Sequence, residues 1–163
     1  MRKTCLLILF TLALTACHHG VEVEGVALNG SLATFATELS ERGYHIDSRD
    51  TDGYMLSGTY YGHPAFIEIE SDGRGGVGRV LYDMEDVPRV SGGEATGFER
   101  IYSDFCDAYG SPDTCDTIPH PYGDSDIRCS WEPAEDTHIH MDYELMTDGD
   151  SLSHEQSISY WKI

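Results

Sequence analysis

The sequence predicts an α+β fold, with two short helices packed on antiparallel sheet. Three observations carry that expectation. Two segments, 31–42 and 94–109, place apolar residues at helical spacing, and each is followed by short runs that alternate apolar with polar residues. Tight glycine-containing turns separate the runs, as hairpins require. A hydrophobic content of 40%, with 10% aromatic, supplies a core and argues against a disordered chain.

At the N-terminus, Arg2 and Lys3 precede an apolar run from Cys5 to Leu14, broken only by Thr11. The run is roughly ten residues, whereas a helix needs about 20 to cross a bilayer. It therefore reads as a targeting segment. Leu14, Thr15, Ala16 and Cys17 follow. A conventional signal-peptidase cut after Ala16 would leave Leu14 where a small residue is preferred, while a lipobox accommodates all four. Residues 1–16 are thus expected to be removed, with Cys17 as the lipid-bearing first residue and 17–28 as linker. The soluble domain is then 29–163.

Within the domain, Leu32, Phe35 and Leu39 share one helical face, with Asn29 or Ser31 as cap and Gly43 just beyond the end. Residues 44–46 read as a short strand and Asp52-Gly53 as a turn. Residues 54–61 and 65–70 form a hairpin around Gly62-His63. There Leu56, Gly58 and Tyr60 share a face with Ile69, Ile67 and Ala65. Glycine-rich 71–76 leads to strand 77–85. Phe98, Ile101, Tyr102, Phe105 and Tyr109 make the apolar stripe of the second helix, stopped by Gly110 and Pro112.

Residues 113–126 read as irregular. Strand 127–132 puts Ile127, Cys129 and Trp131 on one face. In 137–146, Ile139, Met141, Tyr143 and Leu145 oppose His138, His140, Asp142 and Glu144. After an Asp148-Gly149 turn, 151–163 returns as the last strand. The expected register pairs Leu145 with Leu152 and Ile139 with Ile158. The layout allows two tandem α-β-β-β units, 29–90 and 91–163.

The lipobox, the helix ending in Gly-Tyr, the Leu56-x-Gly58-x-Tyr60-x-Gly62 pattern, and the helix ending in Asp-Ala-Tyr-Gly-Ser-Pro resemble small envelope lipoproteins common in Bacteroidota. Their helix-plus-sheet units are similar to those of the β-lactamase inhibitor protein and the small lipoprotein of the outer-membrane assembly machine. The resemblance implies a protein-binding scaffold and transfers no site residues. The lipobox itself resembles the bacterial lipoprotein signal, whose cysteine is alkylated by diacylglycerol. His18, in place of the Asp that retains lipoproteins in the inner membrane, favours the outer membrane.

Loss of residues 1–16 removes Arg2 and Lys3 and no acid, leaving 8 basic and 29 acidic residues, a net charge of −21. That charge excludes nucleic acid as a partner and repels an anionic membrane surface, so lipid must provide the attachment. Basic proteins or cations suit it. Three cysteines remain besides Cys17. A bridge from Cys106 to Cys115 is the first expectation and Cys106 to Cys129 the rival. No Cys-x-x-Cys suggests a redox or zinc site.

For chemistry, His138 and His140 are alternate strand residues and point the same way. Asp142 extends the row, Glu155 is expected opposite it, and His120 is a candidate third close ligand. This makes a metal- or cation-binding module the alternative to a protein-binding one. The Gly73–Gly78 segment lacks the Lys-Ser/Thr of a phosphate loop and precedes a strand, so it reads as a hairpin turn. His18-His19 reads as linker. No nucleophile elbow or reactive-cysteine signature appears, which disfavours an enzyme and leaves an uncharacterised activity as third choice. Outward-facing tyrosines such as Tyr61 are expected to form an aromatic recognition surface. The expectation is a non-catalytic envelope lipoprotein, without cofactor other than the lipid, docking on a protein through its exposed sheet face.

Overall fold

The structure is a computed structural model that describes residues 21–88, 97–120, 125–148 and 151–163. Two helices and ten strands form it: β1 (Glu22–Val23), β2 (Val26–Ala27), α1 (Leu32–Glu41), β3 (His45–Arg49), β4 (Gly53–Tyr60), β5 (His63–Ser71), β6 (Val77–Glu85), α2 (Phe98–Tyr109), β7 (Thr114–Pro119), β8 (Ser125–Ala134), β9 (Thr137–Asp148) and β10 (Ser151–Lys162). β1 and β2 make a small hairpin. The other eight strands form one antiparallel sheet in the order β3-β4-β5-β6-β10-β9-β8-β7. Each helix is thus followed by a four-stranded meander, and the two meanders join through their last strands. The sheet makes strand the dominant element, so the α+β expectation holds in this coarse sense.

Strand period two sends alternate side chains to opposite faces. Register carries the inner set across the sheet: Ile67 faces Tyr82, Tyr82 faces Ile158 and Ile158 faces Met141. All four are fully buried. α1 covers the first meander with Leu32, Phe35, Ala36 and Leu39. Its N-cap is Ser31, whose hydroxyl accepts from the Thr34 amide at 3.1 Å, and Gly43 turns away with φ of 106°. α2 covers the second meander. Phe98 packs on Tyr143 at 4.8 Å between ring centroids, Phe105 packs on Trp131 at 5.7 Å, and the Trp131 indole donates to the Gly110 carbonyl at 2.9 Å.

The Leu-x-Gly-x-Tyr-x-Gly pattern has a packing cause. A Cβ on Gly58 would occupy the place of the Tyr44 ring, so glycine there admits the tyrosine that follows α1. That ring meets Tyr82 edge-on at 6.2 Å and its hydroxyl donates to the Thr59 carbonyl at 3.3 Å.

Several expectations need correction. Residues 21–28 are not a linker: Val21, Val23, Val26 and Leu28 are buried, so the hairpin β1–β2 belongs to the core. The supposedly irregular segment contains β7, a fully exposed edge strand whose residues show no apolar alternation. Its pairing with β8 sets Cys115 directly opposite Cys129, and these two form the disulfide. Neither predicted pairing holds. Cys106 lies on α2, partly buried, as a free thiol.

Two hairpins turn one residue from where they were expected. Tyr60 pairs with His63, so the first turn is Tyr61-Gly62, and Gly58 faces Ala65. Asp148 pairs with Ser151, so Leu145 faces His154 and Ile139 faces Tyr160. Each shift moves register by two, which leaves every residue on its expected face. Residues 94–96, read as the start of the second helix, lie outside the described residues, as do Cys17, His18 and His19. Among the described residues no helix is long and apolar enough to cross a membrane.

Candidate functional site: the open face of the sheet

Both helices lie on one side of the sheet, and among the described residues no side chain on the other side is buried. Cross-strand register arranges that open side in rows. One runs Phe66, Asp83, Ser157, Asp142, Arg128, Asp116 from β5 to β7. The next sets Glu85 opposite Glu155 and Glu155 opposite Glu144. A third runs Glu68, Leu81, Ser159, His140, Ser130, and a fourth Glu70, Arg79, Trp161, His138. Large apolar groups punctuate the surface: Phe66 is 53% exposed and Trp161 42%, with Met55, Met146 and Ile118 similarly open.

Charge is unevenly compensated across this face. Arg79 reaches Glu70 at 2.8 Å and Glu68 at 3.1 Å while its guanidinium lies 5.0 Å from the centre of the Trp161 ring. Arg128 reaches Glu144 at 2.7 Å and Asp142 at 3.6 Å, and those carboxylates raise its own affinity for protons. Between the two arginines stand Asp83, Glu85 and Glu155. Partial burial, then the charges of Asp83, Glu85 and Glu144, push the Glu155 carboxyl above the usual range. Asp142 is also raised, by burial first, with Arg128 opposing.

His138, His140 and Asp142 do share this face, as strand alternation requires. Their neighbours differ from expectation. His138 Nδ1 lies 3.4 Å from Glu132 Oε1, His140 has serines on both flanks, and Asp142 faces Arg128 and Ser157. Glu155 stands opposite Glu144, not Asp142. His120 hydrogen-bonds Asp126 at 2.9 Å, and Asp126 accepts from the Leu145 amide. Leu145 is seven residues along β9 from His138, a distance of roughly 20 Å at the strand rise. His120 therefore cannot complete a site with His138. Among the described residues no group of three or more His, Cys, Asp or Glu is arranged to hold a metal ion.

Tyr61 is not on the open face. It sits at the β4–β5 turn, φ 50°, with its hydroxyl donating to Asp104 of α2 at 2.9 Å. The glycine-rich 73–78 segment forms the β5–β6 turn and the start of β6, closed by Asp72 Oδ1, which accepts from the amides of Arg74 at 2.7 Å and Gly76 at 2.9 Å. Those two bonds hold the exposed Asp72 carboxyl below its ordinary range. Sequence reasoning passed over Arg79, Asp83, Glu85 and Trp161. The alternation of 77–85, with Val80, Tyr82 and Met84 inward, already placed the first three together on the other side. Compared with known proteins, the chain matches no family model, no curated protein and no solved structure.

Proposed function

We propose that the chain is a lipid-anchored envelope lipoprotein whose acidic, non-catalytic domain binds a basic protein through the open face of its sheet, as an inhibitor or an assembly accessory. Acyl chains on Cys17 would hold it, most naturally in the outer membrane. The observation that carries the docking reading is the direct opposition of Glu85 and Glu155, flanked by Asp83 and Glu144 and bordered by the exposed Phe66 ring. Like charges directly opposed across strands are unfavourable in the free protein. A lysine- or arginine-bearing partner relieves that repulsion on binding, and the scattered apolar groups supply contact area around it.

The test is site-specific photo-crosslinking in the native envelope, with the probe at position 66 on the open face or at position 38 on α1. Protein adducts at 66 alone, weakened by salt, support the reading; equal adducts at both positions sink it. Cys17→Ala should abolish lipid labelling and release the protein, and continued labelling would refute the anchor. Stabilisation of the purified chain by a divalent cation, lost on Glu155→Gln, would transfer the face to the cation-binding reading.

A further inference from the structure

We infer that a cavity on the helix side of the molecule is a binding site for a small alkylammonium ion. It measures about 420 Å³ and lies between the β1–β2 hairpin, the β4–β5 turn and α2. The site is on the opposite side of the sheet from the docking face and does not depend on it.

Of the aromatic residues that line it, Tyr60, Phe105 and Tyr160 are almost wholly buried, while Tyr61 and Tyr109 are partly exposed. Tyr60 and Tyr61 stand nearly at right angles, their ring centroids 4.8 Å apart at 83°. Phe105 of α2 lies 5.6 Å from Tyr109 and 6.2 Å from Tyr160. All five rings line the cavity, together with Glu22, Glu24 and Asp104. Among the described residues no Lys, Arg or His lines it. Of the three acids, Asp104 is shared by Arg100 at 3.0 Å and the Tyr61 hydroxyl at 2.9 Å. Among the described residues no ion pair reaches Glu22 or Glu24. Burial raises the Glu24 carboxyl above its usual range, with the Tyr44 hydroxyl and the Arg42 charge opposing. Arg42 also donates to the carbonyls of Glu38 and Gly25, both at 3.1 Å.

The local backbone explains how a charge and a ring come together. The two hairpin turns beside the cavity have positive φ at each central residue, 50° and 72° at Glu24-Gly25 and 50° and 86° at Tyr61-Gly62. Glycine takes the second place in each, and the first place carries the side chain that lines the cavity. The Tyr109 hydroxyl donates to the Glu22 carbonyl at 3.3 Å, which ties α2 to the β1–β2 hairpin beside this cavity. A carboxylate beside aromatic rings is the arrangement that favours a cation over a neutral molecule of the same shape, because ring faces and carboxylate attract the same charge. An alkylammonium ion also has methylene or methyl groups to cover the rings, which a bare metal ion has not.

The experiment titrates the whole chain with choline and with 3,3-dimethylbutan-1-ol, its uncharged isostere, following tyrosine ring protons by NMR. Choline should bind at least about tenfold more tightly. Glu24→Gln should weaken choline about fivefold with an unchanged melting temperature. Glu24→Asn repeats the charge loss with a residue that favours the positive φ of this turn position. Equal binding of choline and the alcohol, or unchanged choline binding in both variants, overturns the proposal. Ethanolamine and monomeric dihexanoylphosphatidylethanolamine separate two sources of the same group. Tighter binding of the lipid points to a membrane head group, and equal or weaker binding to a free ammonium ion; failure of both alongside choline also overturns it.

Discussion

The two faces of the eight-stranded sheet are made from the same strands and obey opposite rules. The inner face carries Leu56, Ile67, Tyr82, Ile158, Met141 and Trp131, all excluded from water beneath the helices. On the outer face of the same strands stand Ser57, Phe66, Asp83, Ser157, Asp142 and Arg128. The fold is held from one side, and the other is free to be shaped by what it meets. Substitutions on the two sides should therefore differ in kind as well as in size.

The strongest contrast is between two tryptophans. Trp131 is 1% exposed and hydrogen-bonded to Gly110, whereas Trp161 is open over Arg79. Trp131→Ala should lose about 4 kcal/mol in urea unfolding, and Trp161→Ala under about 1 kcal/mol. Similar losses from both would erase the distinction between the faces.

The disulfide comes next. It closes a separation of 14 residues between the edge strand and its neighbour. Removing it by Cys115→Ala with Cys129→Ala should lower stability by about 3 kcal/mol on the chain-entropy model. Cys106→Ala should leave the bridge intact, and peptide mapping that finds Cys106 in the bridge would overturn the assignment.

The smallest effect has the opposite sign. The carboxyl of Glu155 is raised, so its proton is held more tightly in the folded chain than in the unfolded one. Its contribution to stability is complete below the ordinary glutamate range and is lost as pH rises through the raised value. Glu155→Gln should therefore stabilise the protein by about 0.5 kcal/mol at neutral pH and make no difference in acid. Thermal melts at the two pH values decide it, and a destabilised variant at neutral pH would show that the carboxylate is satisfied within the chain.

The inner face was legible because a buried strand face leaves a period in the sequence. Even where two hairpin turns were misplaced by one residue, the register moved by two and each side chain kept its face. The glycine of Tyr61-Gly62 held the information needed to place that turn, since positive φ at both central residues puts glycine second. β7 was illegible for the complementary reason. All six of its residues are exposed, so nothing in Thr-Cys-Asp-Thr-Ile-Pro had to alternate, and with the strand missed the cysteine pairing was missed too. The His138, His140 and Asp142 row was correctly placed on a common face, but their partners depend on register across three strands. The cavity of Tyr61 and Glu24 joins residues from the first hairpin, β4 and α2, which no local pattern connects.

Among the described residues, joining the two meanders through β6 and β10 leaves β3 and β7 as the edges of the sheet. An open strand edge invites another copy to add its own strand, the route to fibrils and amorphous precipitate. β3 breaks its ladder with a bulge between Ile46 and Ser48 and displays Asp47 and Arg49. β7 ends in Pro119, carries the exposed Asp116 and is pinned by the disulfide. Crowded copies of this chain can thus lie side by side without their sheets growing into one another.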